Sequence, residues 1–218
     1  MERSVILSHV DHTDLRREAV GADIRRLCEE ALHYHTASVC VPPAHVRTAA
    51  EVLDGRLPVC TVIGFPNGYA TAETKVFETQ DAIKNGADEI DAVIDLSLLR
   101  ERRYEALLRE LRAIREVCEG RILKIIVETC LLTEQEKIRM CGIVADSGAD
   151  YIKTSTGFST GGATPEDIAL FAAHCPKTLR IKAAGGIRSF ADAERYLSLG
   201  ADRLGTSALV RLAKEEDA

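Results

Sequence analysis

Large aromatic side chains are scarce in this sequence. It has no tryptophan, and aromatic residues make up 5% of its 218 residues. A core without large rings must be built from Val, Ile, Leu and Ala, which is typical of α/β barrels and unlike aromatic-rich binding sandwiches. The apolar fraction of 46% is ordinary for a globular protein, and the length suits one domain with a sizeable core.

Long apolar runs and an excess of basic residues are also missing. No segment approaches the ~20 apolar residues that a membrane-spanning helix needs, and residues 1–7 are too few and too charged to predict a signal peptide. The net charge of −6 leaves no basic face for nucleic-acid phosphates. We therefore expect a cytoplasmic protein that has neither a membrane nor a nucleic acid as its partner.

Paired cysteine motifs are absent as well. The seven cysteines are odd in number, scattered, and form no C-x-x-C. This pattern indicates reduced, small apolar side chains rather than a disulfide framework. His33 and His35 have a spacing that superficially resembles a metal pair, but they end a predicted exposed helix with no third ligand, so the sequence predicts no metal site.

What the chain does contain is a regular alternation of strand and helix patterns. The tripeptide Gly-Ala-Asp begins at Gly86, Gly148 and Gly200, each time after a helical stretch and before a strand. Glycine suits the left-handed residue that ends a helix, and the intervals correspond to about two βα units each. The pattern predicts an α/β fold, a single (β/α)8 TIM barrel domain over residues 1–218, with a short extra helix before the first strand.

The predicted strands and helices follow from hydrophobic periodicity and from turn and capping residues. The strands are Leu7–Thr13, Ala37–Val41, Val59–Phe65, Glu89–Leu96, Ile122–Glu128, Tyr151–Ser155, Leu179–Ala184 and Arg203–Thr206. The helices are Asp23–His35, Pro43–Leu53, Ala72–Lys84, Tyr104–Glu119, Thr133–Asp146, Pro165–His174 and Phe190–Leu199.

Two lysines lie inside predicted strands. Lys153 and Lys182 occupy apolar segments of neighbouring strands, and a parallel sheet is covered on both faces. Burying an ammonium group is unfavourable unless it is paired or loses its proton, and an uncharged lysine is a nucleophile for carbonyl carbon. The two lysines therefore indicate imine-forming chemistry.

Asp91 and Lys124 hold corresponding positions in strands four and five. If these side chains face the barrel axis with the two lysines, a carboxylate and several amines converge near the end where barrel enzymes work. The alternative is that each lysine ends a strand in solvent beside a structural ion pair. The sequence favours convergence for Lys153 and Lys182, because they lie on adjacent strands and both precede glycine-containing turns.

Three glycine-bearing segments follow the last three strands. They are residues 154–158, 185–186 and 204–207. Glycine allows backbone N–H groups to approach an anion, and the usual phosphate site of a barrel follows strands seven and eight. Although a single glycine after a strand is usually only a turn, the three together predict a phosphate site.

These segments resemble signature sequences of the deoxyribose-phosphate aldolase family. The clearest are IKTSTG at 152–157, KAAGGIR at 182–188, GADEID at 86–91 and DHT at 11–13, and residues 37–41 and 125–129 extend the match. The resemblance covers about residues 11–207. It implies a class I lyase, without metal or cofactor, that reversibly cleaves the small-molecule sugar phosphate 2-deoxyribose 5-phosphate to glyceraldehyde 3-phosphate and acetaldehyde, and a homo-oligomer.

The resemblance also implies roles for individual residues. Lys153 matches the imine-forming lysine, and Lys182 and Asp91 match its proton-handling partners. We expect Lys182, as a nearby cation, to disfavour protonation of Lys153. The expected substrate-binding residues are Asp11, Thr13, Cys40, Lys124, Thr154, Gly157, Gly185, Gly186 and Ser207, of which Gly157, Gly185, Gly186 and Ser207 match phosphate contacts.

Some of these assignments remain open on sequence alone. Cys40 either lines the pocket or is a buried, inert thiol, and Asp11 and Thr13 either approach the substrate or serve in capping and packing. Some family members have a second serine where this chain has Ala208, which puts one phosphate hydrogen bond in doubt.

Two other functions are compatible with the pattern. One is a barrel enzyme of different chemistry, such as a sugar-phosphate isomerase or another class I aldolase, although no strand-end glutamate is obviously placed as a base. The other is a non-catalytic sugar-phosphate binder, which would need the glycine segments but not Lys153.

Overall fold

Eight parallel strands close into a barrel in the computed structural model, which describes residues 1–217. Each strand pairs with its neighbours in chain order, and β1 also pairs with β8. This confirms the predicted (β/α)8 fold. The strands are β1 Val10–Thr13, β2 Ser38–Val41, β3 Val59–Ile63, β4 Glu89–Val93, β5 Ile122–Ile126, β6 Tyr151–Lys153, β7 Arg180–Ala184 and β8 Arg203–Thr206.

Helices separate the strands and form the outer layer. They are α1 Arg3–Leu7, α2 Gly21–His33, α3 Val46–Leu53, α4 Ala72–Lys84, α5 Leu96–Arg100, α6 Tyr104–Val117, α7 Glu134–Asp146, α8 Pro165–His174, α9 Phe190–Ser198 and α10 Leu209–Asp217, with short 3-10 turns at Pro43–His45 and Thr129–Leu131. The extra N-terminal helix is confirmed as α1. Within residues 1–217, no helix combines the length and the apolar character needed to cross a bilayer.

Some predicted boundaries were wrong. The first strand begins at Val10 because α1 occupies the preceding residues, and predicted strands three to six run two or three residues too far. Ile94 and Val127 lie beyond the observed strand ends and are still fully buried. The apolar sequence therefore continues past the last hydrogen-bonded pair of the sheet, because the first loop residues at the rim are buried like those of the strands. Helices α5 and α10 were not predicted; the first is capped by Asp95, whose carboxylate accepts from the N–H of Ser97 at 2.8 Å.

The Gly-Ala-Asp repeats end helices as expected and also fasten neighbouring strands. Their glycines have left-handed φ values between +77° and +109°. Each aspartate accepts a hydrogen bond from the backbone N–H that begins, or nearly begins, the preceding strand. These bonds join Asp88 to Val59 at 2.9 Å, Asp150 to Leu123 at 2.8 Å and Asp202 to Ile181 at 2.8 Å.

The two faces of the barrel wall differ in chemistry. Outward-facing strand residues such as Ile90, Ala92 and Ile125 belong to the apolar core shared with the helices. Inward-facing residues at alternate positions include Asp91 and Lys124, which are also fully buried. The period of two along each strand thus separates an aliphatic layer outside the barrel from a charged interior.

The loop after β3 depends on a glycine at the barrel rim. Gly68 has φ +77°, and a Cβ at this position would lie 1.9 Å from the carbonyl oxygen of Ile94. Its N–H donates to the oxygen of Gly64 at 2.8 Å, which closes the turn. The backbone of this loop can approach the end of β4 because residue 68 has no side chain.

We expect Gly68→Ala to destabilise the protein more than Gly55→Ala does. Gly55 has a similar φ of +71°, but nothing lies within 4 Å of an added Cβ. Gly55→Ala therefore measures only the loss of stability from placing alanine in a left-handed conformation, about 1–2 kcal/mol. The clash at residue 68 should add about 1–3 kcal/mol. Urea unfolding midpoints of the two variants measure the difference, and equal midpoints would contradict this description of the loop.

Candidate active site

The carboxylate of Asp91 in β4 lies at the centre of the barrel interior. Its Oδ2 accepts hydrogen bonds from the Nζ atoms of Lys153 and Lys182, each at 2.7 Å. Its Oδ1 accepts from Lys124 Nζ at 2.8 Å and from the Cys60 thiol at 3.2 Å. Four consecutive strands, β4 to β7, therefore bring one carboxylate and three lysines into direct contact.

Two more carboxylates and an arginine extend this network. Asp11 in β1 pairs with Lys182 and, at 2.6 Å, with Arg203. Glu89 in β4 lies 2.6 Å from Lys124 Nζ and 3.3 Å from Arg203 Nη1. We did not predict Glu89 or Arg203 as part of the site. Alternation along the strands could have identified Glu89, because it lies two residues before Asp91 and shares its face.

The charges of the cluster balance when one lysine is uncharged. Four cationic side chains face three carboxylates, and an unbalanced charge is unfavourable in a dry interior. The cations are Lys124, Lys153, Lys182 and Arg203, and the carboxylates are Asp11, Glu89 and Asp91.

Lys153 is the cation least firmly held by carboxylates. Within residues 1–217 its Nζ contacts one carboxylate, whereas Lys182 contacts two and Lys124 two at less than 3 Å. Lys153 is therefore the lysine of the cluster with the fewest carboxylate contacts.

Burial and pairing act in opposite directions on the pKa values of this cluster. Burial alone would raise the pKa of Asp91, but the three lysines around it hold it well below its usual range, and Lys182 does most to lower the pKa of Asp11. Burial would lower the pKa of Lys124 and Lys182, but the adjoining carboxylates raise both values above the normal one. Asp11 and Asp91 therefore stay ionised, and Lys124 and Lys182 stay protonated, at neutral pH.

Lys153 stands nearer to the mouth of the barrel than Lys124 does. Lys124 pairs in register with Tyr151, two residues before Lys153, and Lys153 is the last residue of β6. The alternative in which these lysines reach solvent is wrong, because the side chains of Lys153, Lys182 and Lys124 are only 4%, 1% and 0% exposed. A carbonyl compound that enters from the carboxyl ends of the strands would reach the level of Lys153, and of its register partner Lys182, before that of Lys124.

A cleft of about 630 Å³ opens at those carboxyl ends, on the side of β6, β7, β8 and β1. Five of the predicted binding residues line it: Thr13, Gly157, Gly185, Gly186 and Ser207. The glycines at 157, 185 and 186 all have left-handed φ values near +80°. Backbone from the loops after β6 and β7 meets here, since a Cβ on Gly162 would lie 2.3 Å from the Gly185 oxygen.

Arg188 adds a positive charge to the rim of this cleft. Of the other cations there, Arg16, Arg26, Arg211 and Lys214 each pair with a nearby carboxylate. Arg188 is exposed and forms no ion pair with any residue in the range 1–217. Its guanidinium is therefore available to an anion. We did not assign it a role from sequence, although it lies in the KAAGGIR segment.

Four predicted binding residues are buried and do not line the cleft. Asp11 and Lys124 belong to the charged cluster, while Cys40 packs with Cys60 and Val62 in a small apolar group. The Oγ1 of Thr154 donates to the oxygen of Ala184 and accepts from its N–H, which ties β6 to β7. These four side chains lie where they can hold other residues of the site in place, and they do not line the cleft where a ligand would bind.

Metal-ligating atoms come together in the interior, but lysines occupy the same place. The donor atoms of Cys40, Cys60 and Asp91 lie within 4.8 Å of one another. Both Asp91 oxygens already accept hydrogen bonds from ammonium groups. A divalent cation bound to Asp91 would have to displace those lysines, so the residues present fit an amine network better than a metal.

Comparison with known proteins supports this description. Residues 5–210 match the family model described as DeoC/LacD family aldolase. A deoxyribose-phosphate aldolase of Clostridioides difficile (strain 630) is 51% identical over 212 residues, covering 97% of each chain. One from Streptococcus agalactiae serotype Ia is 52% identical over 216 residues, or 99% of this chain and 97% of the relative.

A solved structure agrees with both relatives. The tetrameric deoxyribose phosphate aldolase of Aeropyrum pernix superposes with a TM-score of 0.92 at 32% identity, covering 100% of this chain and 93% of that one. The resemblance found in the signature segments is thereby confirmed, and the chain belongs to the DeoC/LacD family of aldolases.

Proposed function

We propose that this protein is a class I deoxyribose-phosphate aldolase, a lyase that reversibly cleaves 2-deoxyribose 5-phosphate to glyceraldehyde 3-phosphate and acetaldehyde. The contact that carries the proposal is Lys153 Nζ on Asp91 Oδ2 at 2.7 Å, inside the barrel. The relatives that are about half identical over nearly the whole chain carry the same activity in their names.

Lys153 supplies the covalent step. Its uncharged amine attacks the aldehyde carbon of the open-chain sugar, and loss of water gives an iminium ion. The iminium accepts the electron pair of the bond between the second and third carbons when that bond breaks. Glyceraldehyde 3-phosphate leaves, the remaining enamine takes up a proton, and water then releases acetaldehyde and the free amine.

Asp91 and Lys182 handle protons in this scheme. Asp91 is a weak base because three lysines stabilise its ionised form, so it serves best as the fixed acceptor that orients the amines. The hydroxyl proton of the third carbon passes to a water molecule that Asp91 and Lys182 orient, because Asp91 is a weak base and Lys182 already carries its proton. The same water then supplies the proton that the enamine carbon takes up. Asp11 and Lys124 hold that pair in place through the ion pairs described above.

The phosphate binds over the glycine turns after β6 and β7 and the segment after β8. Ser207 is exposed in the cleft and directly precedes the residues that lead into α10. We assign Ser207, Thr13 and the glycines at 157, 185 and 186 to the sugar phosphate, with Arg188 as an additional cation. Ala208 stands where some relatives have a second serine, so it has no hydroxyl for the phosphate. Its backbone N–H already donates to the hydroxyl oxygen of Thr206 at 3.0 Å.

We further propose a single-domain, cytoplasmic homo-oligomer whose partner is the sugar phosphate rather than nucleic acid. The closed barrel takes strands from residue 10 to residue 206, which supports one domain. The tetramer reported for the Aeropyrum pernix relative supports an oligomer. The net charge of −6 disfavours nucleic acid.

The isomerase alternative is weakened by the environment of Glu128. This glutamate follows β5 at the rim, where a base could stand, but its carboxylate accepts from the N–H and hydroxyl of Thr156. It therefore holds the loop after β6. A non-catalytic binder would not need three buried lysines on one carboxylate.

Incubation with 2-deoxyribose 5-phosphate in excess chelator tests the proposed function. We expect glyceraldehyde 3-phosphate and acetaldehyde in equal amounts, at a rate that the chelator does not change, because lysines fill the positions that a metal would need. A rate that disappears with chelator and returns with zinc or magnesium would contradict the amine mechanism. A ketose phosphate as product would instead indicate an isomerase.

Ser207→Asp tests the phosphate site. A carboxylate beside the phosphate dianion should lower kcat/KM for deoxyribose 5-phosphate by about 100-fold, or roughly 2.7 kcal/mol. Activity on unphosphorylated deoxyribose should change little, since that substrate has no charge to repel. The matched control is Ser4→Asp, which adds the same charge on exposed α1, before the first strand. Equal losses on both substrates would show that Ser207 does not contact the phosphate.

A further inference from the structure

Two cysteines face each other inside the barrel, directly beside the charged cluster. Cys40 in β2 and Cys60 in β3 are partners in the strand register. Residues paired in this way point to the same side of the sheet. Their sulfur atoms and a carboxylate oxygen of Asp91 all lie within 4.8 Å of one another. Neither thiol has a role in the cleavage scheme above.

The Cys60 sulfur is part of the hydrogen bonding around Asp91. Its Sγ lies 3.2 Å from Asp91 Oδ1 and 3.3 Å from Lys124 Nζ. The thiol proton therefore stabilises the same carboxylate that binds the three lysines. Any chemistry that removes that proton changes the hydrogen bonding of the central carboxylate.

The Cys40 thiol is the more acidic of the two. Its hydrogen-bond partner Cys60 and the Lys182 ammonium lower its pKa against the effect of burial, whereas burial raises the pKa of Cys60. Because the thiolate is the reactive form of cysteine, an oxidant should react first with Cys40 and leave Cys60 as the neighbouring thiol that completes a disulfide.

The backbone geometry permits that disulfide. Adjacent strands in a sheet are about 4.8 Å apart, and disulfides join residues whose Cα atoms are about 4.4–6.8 Å apart. Since Cys40 and Cys60 are register partners on adjacent strands, their Cα atoms fall within this range, and both side chains point to the same side of the sheet.

A second cleft lies next to the pair, separated from it by three apolar side chains. It has a volume of about 340 Å³ and lies at the ends of β2 and β3. Leu15, Val62 and Phe65 line it, and the same three side chains pack with Cys40 and Cys60. Leu15 and Phe65 are only partly buried, so the thiols lie beneath the apolar wall of this cleft.

We propose that Cys40 and Cys60 form a redox pair that a hydroperoxide converts to a disulfide, reversibly switching off the site around Asp91. The Cys40 thiolate attacks the peroxide, breaks its O–O bond and becomes a sulfenic acid, and the other oxygen leaves as water or an alcohol after protonation. The Cys60 sulfur then displaces the sulfenic hydroxyl, which leaves with the Cys60 proton as water. Two thiols are oxidised and one peroxide is reduced.

The disulfide would remove the Cys60 proton from Asp91 Oδ1. Loss of one hydrogen bond to a charged group should lower turnover by about tenfold or more. A dithiol reductant restores both thiols and should restore the activity, because neither sulfur has passed beyond the reversible stage.

The experiment treats the whole protein with hydrogen peroxide, divides it, and adds dithiothreitol to one half. We expect activity to fall and then to recover with the reductant. Tryptic mapping of alkylated samples should find peptide 27–47, which holds Cys28 and Cys40, joined to the peptide that contains Cys60 in the oxidised half only. Fragmentation of the joined peptides should place the link on Cys40 and the alkyl label on Cys28. This mapping does not use the aldolase reaction, so it tests the redox pair even if the proposed substrate is wrong.

Three variants separate this pair from other thiols, each compared with its own untreated rate. In Cys60→Ala, peroxide should cause a loss that dithiothreitol does not reverse, since Cys40 then oxidises further without a partner. Cys130→Ser removes an exposed thiol. Cys175→Ser removes one thiol of a second cysteine pair, Cys141 and Cys175. Both should behave as the unmodified chain. Absence of the Cys40–Cys60 peptide, or reversible loss that disappears in Cys130→Ser or Cys175→Ser, would overturn the proposal.

Discussion

The carboxylate of Asp91 is the constraint on which the rest of the site depends. Burying three lysines in the centre of a barrel would be strongly unfavourable without an anion in contact with each of them. Asp91 provides that contact from the middle of β4, with amine distances of 2.7–2.8 Å. Removing this carboxylate would leave amines that repel one another in a medium with little water. The barrel can therefore bring three amines close together and keep them in fixed positions.

The interior and the rim of the barrel differ in how they are built. Charged side chains inside the barrel are fixed by one another and leave Lys153 as the amine with the fewest carboxylate contacts. The cleft above them includes glycine turns at Gly157 and Gly185, where we propose that the phosphate binds. In the proposed mechanism, catalysis relies on buried ion pairs, and substrate selection on loops. The thiols of Cys40 and Cys60 lie where the charged cluster meets an apolar wall, in the position that the proposed redox pair requires.

Much of this could be predicted from the sequence, for identifiable reasons. Strand and helix order followed from periodicity and from the Gly-Ala-Asp repeats, and the contact between Asp91 and the lysines followed from their equivalent strand positions. Arg203 was not predicted as part of the cluster, because an arginine at the start of a strand usually indicates a solvent-exposed end. The sequence did not predict the partner of the Thr154 hydroxyl either, because that hydroxyl bonds the backbone of the neighbouring strand. Such contacts across strands depend on register, which one sequence does not specify.

Borohydride reduction during turnover shows which lysine forms the imine. The account predicts that borohydride added with deoxyribose 5-phosphate inactivates the protein and leaves a stable secondary amine on Lys153, found by peptide mapping, while borohydride alone leaves it active. Lys182 and Lys124 should stay unmodified, because the carboxylates around them keep both protonated. A label on Lys182 or Lys124, or continued cleavage with no labelled lysine, would contradict the account.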